Sequence, residues 1–249
     1  MLSKASLQVT KSSPPPSSVN RLDNGTIEIT FVIPWSNVQS AHAKEVDLAI
    51  EQVELPGFRK GKAPRDLVLP KLDQNTLHQK ALEQLVPKAY SQSLNEHQLK
   101  PILHPHIKVT QGKLGEDWQL VASTCEAPKV SLPADYQTEI KKIKPEDKNK
   151  KLTERVDYLR RSASLKIPHL LIEEEANHRL GHLAENLSQL GLDIPRYLQS
   201  KKTTVENLRA QTASQAKIDL EIEFILEHVR ASEKLPDREK TLDFLVRLV

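Results

Sequence analysis

The chain has 249 residues, 28% of them charged and 38% hydrophobic, with a formal net charge of +3. That balance excludes a disordered chain, and no apolar run approaches the ~20 residues that a membrane-spanning helix needs. Cys125 is the only cysteine, which excludes an intrachain disulfide and points to a reducing, cytoplasmic home.

Aromatics at 4% and only 7 glycines argue against a barrel or sandwich of many tight turns and for helices packed through aliphatic side chains. The first 22 residues carry Lys4, Lys11 and Arg21 and no acid. Leu7-Gln8-Val9-Thr10 alternates as a strand does, and a stiff connector containing Pro14-Pro15-Pro16 follows. Ile27, Ile29, Phe31 and Ile33 alternate with Glu28, Thr30 and Val32, predicting a strand with one apolar face that Pro34 ends. Ser36 or Asn37 is placed to cap a helix carrying Val38, Ala41, Val46, Ala49, Ile50 and Val53, which stops before Pro56-Gly57. A second helix starts near Arg65 or Asp66, breaks around 69–73, and continues through Leu77, Ala81, Leu82, Leu85 and Ala89, with Pro87 as a kink point. Ile107 and Val109, then Trp118, Leu120, Ala122 and Thr124, read as an antiparallel hairpin around Gly112 and Gly115.

The pattern changes near Lys141, where lysines alternate with acids over 141–151. Beyond it the spacing is helical throughout. Leu152, Val156 and Leu159 recur at i, i+3/i+4, as do Ile172, Ala176, Leu180, Leu183, Leu187 and Leu190 before Gly191. Thr204 is a cap for a long helix through Val229, and Pro236-Asp237 start a last one through Leu242, Leu245 and Leu248. The fold class expected is an α+β N-terminal domain over 1–140, helices with antiparallel strands. A charged linker helix over 141–166 and an all-α domain over 167–249 follow.

The loop at 57–64 is the least ordinary segment. Arg59, Lys60, Lys62 and Arg65 come with no acid until Asp66. Gly57 and Gly61 permit a shaped turn rather than a loose tether. Phe58 is an aromatic within a basic loop, where folding alone gives it no reason to be. Such a loop offers an aromatic anchor ringed by cations, suited to an acidic protein patch or a phosphate backbone. The competing reading tucks Phe58 into its own domain and leaves the bases merely solvated.

Gly57-Phe58-Arg59-Lys60-Gly61-Lys62-Ala63-Pro64 resembles the ribosome-binding signature of the trigger factor family, Gly-Phe-Arg-x-Gly-x-x-Pro, between two helices. Lys113-Leu114-Gly115-Glu116-Asp117 before the last strand is in the family's order. Ile167-Pro168-His169-Leu170-Leu171-Ile172-Glu173-Glu174-Glu175 is similar to the start of the family's C-terminal helical domain, and Leu190-Gly191-Leu192 with Tyr197-Leu198 fit its continuation. The resemblance covers about residues 20–235.

The resemblance implies an ATP-independent chaperone docked near the nascent-chain exit tunnel, with nascent or unfolded polypeptides as clients. Phe58, Arg59 and Lys60 would contact a ribosomal protein and rRNA, Gly57, Gly61 and Pro64 would shape the loop, and Lys62 would add charge toward RNA. Members of the family carry an isomerase domain of roughly one hundred residues between the two halves. Here only about twenty residues separate Lys144 from Ile167, so no enzyme activity is expected. The alternatives are an active peptidyl-prolyl isomerase by family membership, a basic RNA- or ribosome-binding assembly factor, and a chaperone for one dedicated client.

Other chemistry is weak. His178 and His182 share a helical face at i, i+4, with Glu174 and Glu185 near in sequence, but the Glu that a metallohydrolase helix places after its first His is missing. They read as exposed histidines, and neither metal nor cofactor is expected. Cys125 reads as a buried, inert thiol.

Overall fold

The computed structural model describes residues 17–248 except Leu114, Pro145 and Glu146, and omits the side chains of Asn75 and Lys148. The strand expected at 7–10 and the proline connector lie outside the described residues. The chain divides into two compact units. The first holds the described residues up to Arg21 with 27–100 and 104–124; the second holds 22–26, 101–103 and 125 onward.

In the first unit a four-stranded antiparallel sheet is ordered β1-β2-β4-β3, with β1 Ser18–Arg21, β2 Ile27–Ile33, β3 His106–Gln111 and β4 Trp118–Thr124. The two central strands alternate buried and half-buried residues along their length, the signature of a sheet covered on one face. Ile27, Ile29, Phe31 and Ile33 join Trp118, Leu120 and Ala122 in the core. Helix α1 (Trp35–Gln52) contributes Val38, and α3 (Gln74–Glu96) contributes Tyr90. The short helix α2 (Arg65–Val68) and a 3₁₀ turn over Leu69–Lys71 separate α1 from α3, the break that the sequence indicates. Helix α3 runs through Pro87 to Glu96.

Two sequence readings change here. The cap of α1 is Pro34, with no side-chain cap of its own. Asp117, from the β3–β4 connection, accepts a hydrogen bond from Trp35 N at 2.8 Å, so a residue distant in sequence satisfies the orphan donor that Ser36 or Asn37 was expected to serve. Strand β1 was unreadable, because Ser-Val-Asn-Arg has no apolar alternation. It exists by pairing Ser18–Arg21 with Thr30–Ile27.

Polar contacts fix α1 against α3. Glu45, only 6% exposed, accepts from Gln84 Nε2 at 2.5 Å. The rings of His42 and His78 stack 4.0 Å apart. Burial, and secondarily the neighbouring His78, lowers the pKa of His42 below its ordinary value.

The second unit is helical: α4 Tyr136–Lys142, α5 Lys148–Ser162, α6 His169–Gln189, α7 Ile194–Lys201, α8 Val205–Ser232 and α9 Arg238–Arg247. Its core gathers Ile140, Leu159, Ile225, Leu226, Val229 and Leu245. Thr204 caps α8 by accepting from Asn207 N, and Asp237 caps α9 by accepting from Lys240 N, as their positions suggest. Residues 141–166, expected as a charged linker, hold the end of α4 and all of α5, and Leu159 on α5 is fully buried.

The stripe on α6 is less buried than its spacing implies. Ala176 and Leu187 are buried, whereas Leu190 is 74% exposed. Leu190 is the C-cap residue. Gly191 follows with φ +69°, while Gly191 N donates to Ser188 O and Leu192 N to Leu187 O. That pair of bonds is a Schellman ending, which turns the chain out of helical register at Leu190.

Candidate functional site

The loop after α1 is built from two consecutive turns. Phe58 N donates to Leu55 O at 3.0 Å and Lys62 N to Arg59 O at 2.9 Å. Each turn places a glycine third, Gly57 at φ +86° and Gly61 at φ +70°, after a residue that keeps negative φ. That is the type II pattern, in which the third residue must have positive φ. Pro56 also presets the second position of the first turn. Gly61 N donates to Val53 O at 3.1 Å and closes the loop onto the end of α1. The two glycines differ in surroundings. A Cβ on Gly61 would lie 2.7 Å from Glu51 O, whereas one on Gly57 would meet nothing within 4 Å.

On this frame Phe58 is 40% exposed, and Gly57, Arg59, Lys60, Lys62 and Pro64 are also exposed. Pro64 is the N-cap residue of α2. Ala63 and Val68 are buried and anchor the far side of the loop. Among the described residues no carboxylate pairs with Arg59, Lys60 or Lys62. Arg65 differs from the other three, because it forms an ion pair with Asp47 on α1. Of the four bases read in the sequence, three face outward and one ties α2 to α1. The same end of the unit exposes Leu48 by 52% and Leu67 by 51%. Neither stood out in the sequence, because both sit at ordinary helical positions.

The other candidates resolve simply. Cys125 is fully buried and its thiol is pushed up to about 11 by burial, far from the thiolate that reactivity needs. His178 and His182 bring their Nε2 atoms to 3.0 Å on an exposed helix face, and His182 Nδ1 lies 3.5 Å from Glu185. Among the described residues no group of three or more His, Cys, Asp or Glu side chains is placed to hold a metal ion. No helix among them is long and apolar enough to cross a membrane.

Residues 16–159 match the family described as Bacterial trigger factor protein (TF), and residues 131–243 match Bacterial trigger factor protein (TF) C-terminus. The chain belongs to the trigger factor family. The trigger factors of Staphylococcus aureus strains JH9 and Newman are each 32% identical over 158 residues, 63% of this chain and 32% of theirs. The match thus spans about a third of those relatives' length. A solved chain described as "Promiscuous Substrate Recognition in Folding and Assembly Activities of the Trigger Factor Chaperone" is 25% identical. It covers 57% of this chain and 33% of that one, with a TM-score of 0.37. The two trigger factor matches overlap over 131–159, so no further domain lies between them in this sequence.

Proposed function

We propose that this chain is a ribosome-docking, ATP-independent chaperone of the trigger factor family without prolyl-isomerase activity. The observation that carries the reading is the loop: a 40% exposed Phe58 beside three outward cations, held on two glycine-dependent turns. An aromatic that keeps 40% of its surface in water offers a partner an apolar contact that its own fold leaves unused. Beside unpaired Arg59, Lys60 and Lys62 it suits a partner that is apolar at its centre and negative at its rim. A ribosomal protein flanked by rRNA has that character.

Clients would meet the second unit. Leu190 and Leu192, between α6 and α7, are 74% and 44% exposed, and Val205 at the start of α8 is 51% exposed. Individually weak apolar contacts suit quick release without nucleotide, and docking compensates by raising the local concentration of this surface near an emerging chain. Overlap of the two family matches supports the non-catalytic half of the reading.

Ribosome co-sedimentation of wild type and a Phe58→Ala/Arg59→Ala/Lys60→Ala variant tests it. All three side chains are exposed, so the variant should melt with wild type, lose association, and leave a wild-type signal that weakens steeply with salt. A folded variant that still co-sediments would remove the loop from the mechanism. Catalysis on a short proline peptide above the uncatalysed rate would restore the isomerase alternative.

A further inference from the structure

The second unit buries a cation that has no carboxylate partner among the described residues. Arg155 on α5 is fully buried. Its Nε and Nη2 donate to Ile143 O at 3.2 and 3.1 Å, and its Nη1 donates to Leu245 O at 2.5 Å and to Val246 O at 3.4 Å. Every one of these acceptors is a backbone carbonyl, and among the described residues no carboxylate pairs with the guanidinium. These carbonyls close α4 and stand in the last turn of α9, so the negative ends of two helix dipoles offset part of the charge, and what remains is weakly screened.

Arg155 also gathers three chain segments. It fastens the residue after α4, the body of α5 and the last turn of α9, so Lys144 directly follows one of its acceptors and Arg247 another. Over 141–155 the sequence has seven cations against three carboxylates. Lys142 pairs with Glu139, Lys150 lies 4.0 Å from Glu154, and Arg247 pairs with Asp243. Asp147 caps α5. No described acid pairs with Lys141, Lys144 or Lys151. Lys150 and Lys151 stand in the first turn of α5, where the helix macrodipole disfavours cations. For Lys151, which has no described acid partner, folding gains nothing from the charge at that position.

We propose that this basic end of the second unit, with Lys141, Lys144 and Lys151 around buried Arg155, binds the phosphate backbone of RNA as a contact separate from the 57–64 loop. The chemistry favours RNA over a lipid surface. None of the exposed large hydrophobic residues lies on α4, α5 or α9, so there is nothing to insert between acyl chains. The absence of exposed aromatics on those helices predicts backbone contact without base preference. The link to ribosomal RNA rests on the docking reading above; the affinity for RNA itself does not.

The test uses the full chain and a Lys141→Gln/Lys144→Gln/Lys151→Gln variant, with a labelled uridine homopolymer followed by anisotropy at several salt concentrations. The slope of log affinity against log salt should shrink by about 2, roughly 0.7 for each lost phosphate contact on a single strand. Ribosome association should weaken in parallel, and lysine-to-arginine replacements at the same positions should restore both. If the triple variant unfolds, exposed Lys144→Gln alone gives the same comparison, with a slope smaller by about 0.7. An unchanged slope overturns the proposal, as does equally lysine-dependent binding to anionic phospholipid vesicles. The Phe58→Ala/Arg59→Ala/Lys60→Ala protein separates the two ideas. If it loses ribosomes while the lysine variant binds RNA as wild type does, the loop reading stands and this one falls. If it keeps ribosomes while the lysine variant loses RNA, the reverse holds.

Discussion

The chain has two basic stretches, 57–65 and 141–155, which look alike as composition and are treated oppositely by the fold. In the first, two glycines at positive φ turn the backbone so that Phe58, Arg59, Lys60 and Lys62 face outward, and only Arg65 is paired. In the second, the stretch folds into helices, and its most consequential cation, Arg155, goes fully inside to bond carbonyls after α4 and in the last turn of α9. Positive charge is therefore delivered by backbone shape in one unit and by burial in the other. A charge run says little until the packing behind it is known.

That contrast can be broken most severely at Arg155. Replacing it with Met keeps much of the volume and removes four hydrogen bonds, leaving the Ile143 and Leu245 carbonyls short of a donor. The loss should be about 2–4 kcal/mol, seen as faster amide exchange in α5 and α9. Both tryptophans, Trp35 and Trp118, lie in the first unit, so their fluorescence transition should stay in place. A tryptophan transition that moved equally would mean that the two units unfold as one.

The loop offers a finer comparison. Gly61→Ala forces positive φ on an alanine, worth about 1–2 kcal/mol, and drives its Cβ to 2.7 Å from Glu51 O. Gly57→Ala meets only the conformational cost, because its surroundings are open. Denaturant midpoints read by tryptophan fluorescence should rank Gly61→Ala below Gly57→Ala, and ribosome association should follow that order. The opposite order would show that the loop is not braced on the end of α1.

The smallest effect is on pH. The folded first unit holds His42 below its ordinary 6.5, so folding favours the neutral ring. The stabilisation is complete above pH 6.5 and is lost as pH falls through the lower folded value. The melting temperature reported by tryptophan should fall as the pH drops below about 6.5, and His42→Leu should flatten that dependence.

Much of the architecture was legible from periodicity. The strands at 27–33 and 118–124, the break between α2 and α3, the caps at Thr204 and Asp237 and the helical second half all follow from local pattern. Strand β1 and helix α7 were missed, since neither has an apolar alternation long enough to register. The 57–64 loop was visible because unusual residues were adjacent in sequence. The exposed Leu48 and Leu67 were not, because a leucine on a helix reads as core until its neighbours are known.

The sequence by itself determined what short-range physics controls: element type, glycine-bearing turns, side-chain caps and the local run of cations. Tertiary structure alone decided which long-range partner each group met. Asp117 caps α1 across 82 residues and Arg155 reaches Leu245 across 90, while Arg65 spends its charge on Asp47. Local periodicity carries no term for such pairings, because the entropy of closing a long loop is repaid only when the whole core assembles.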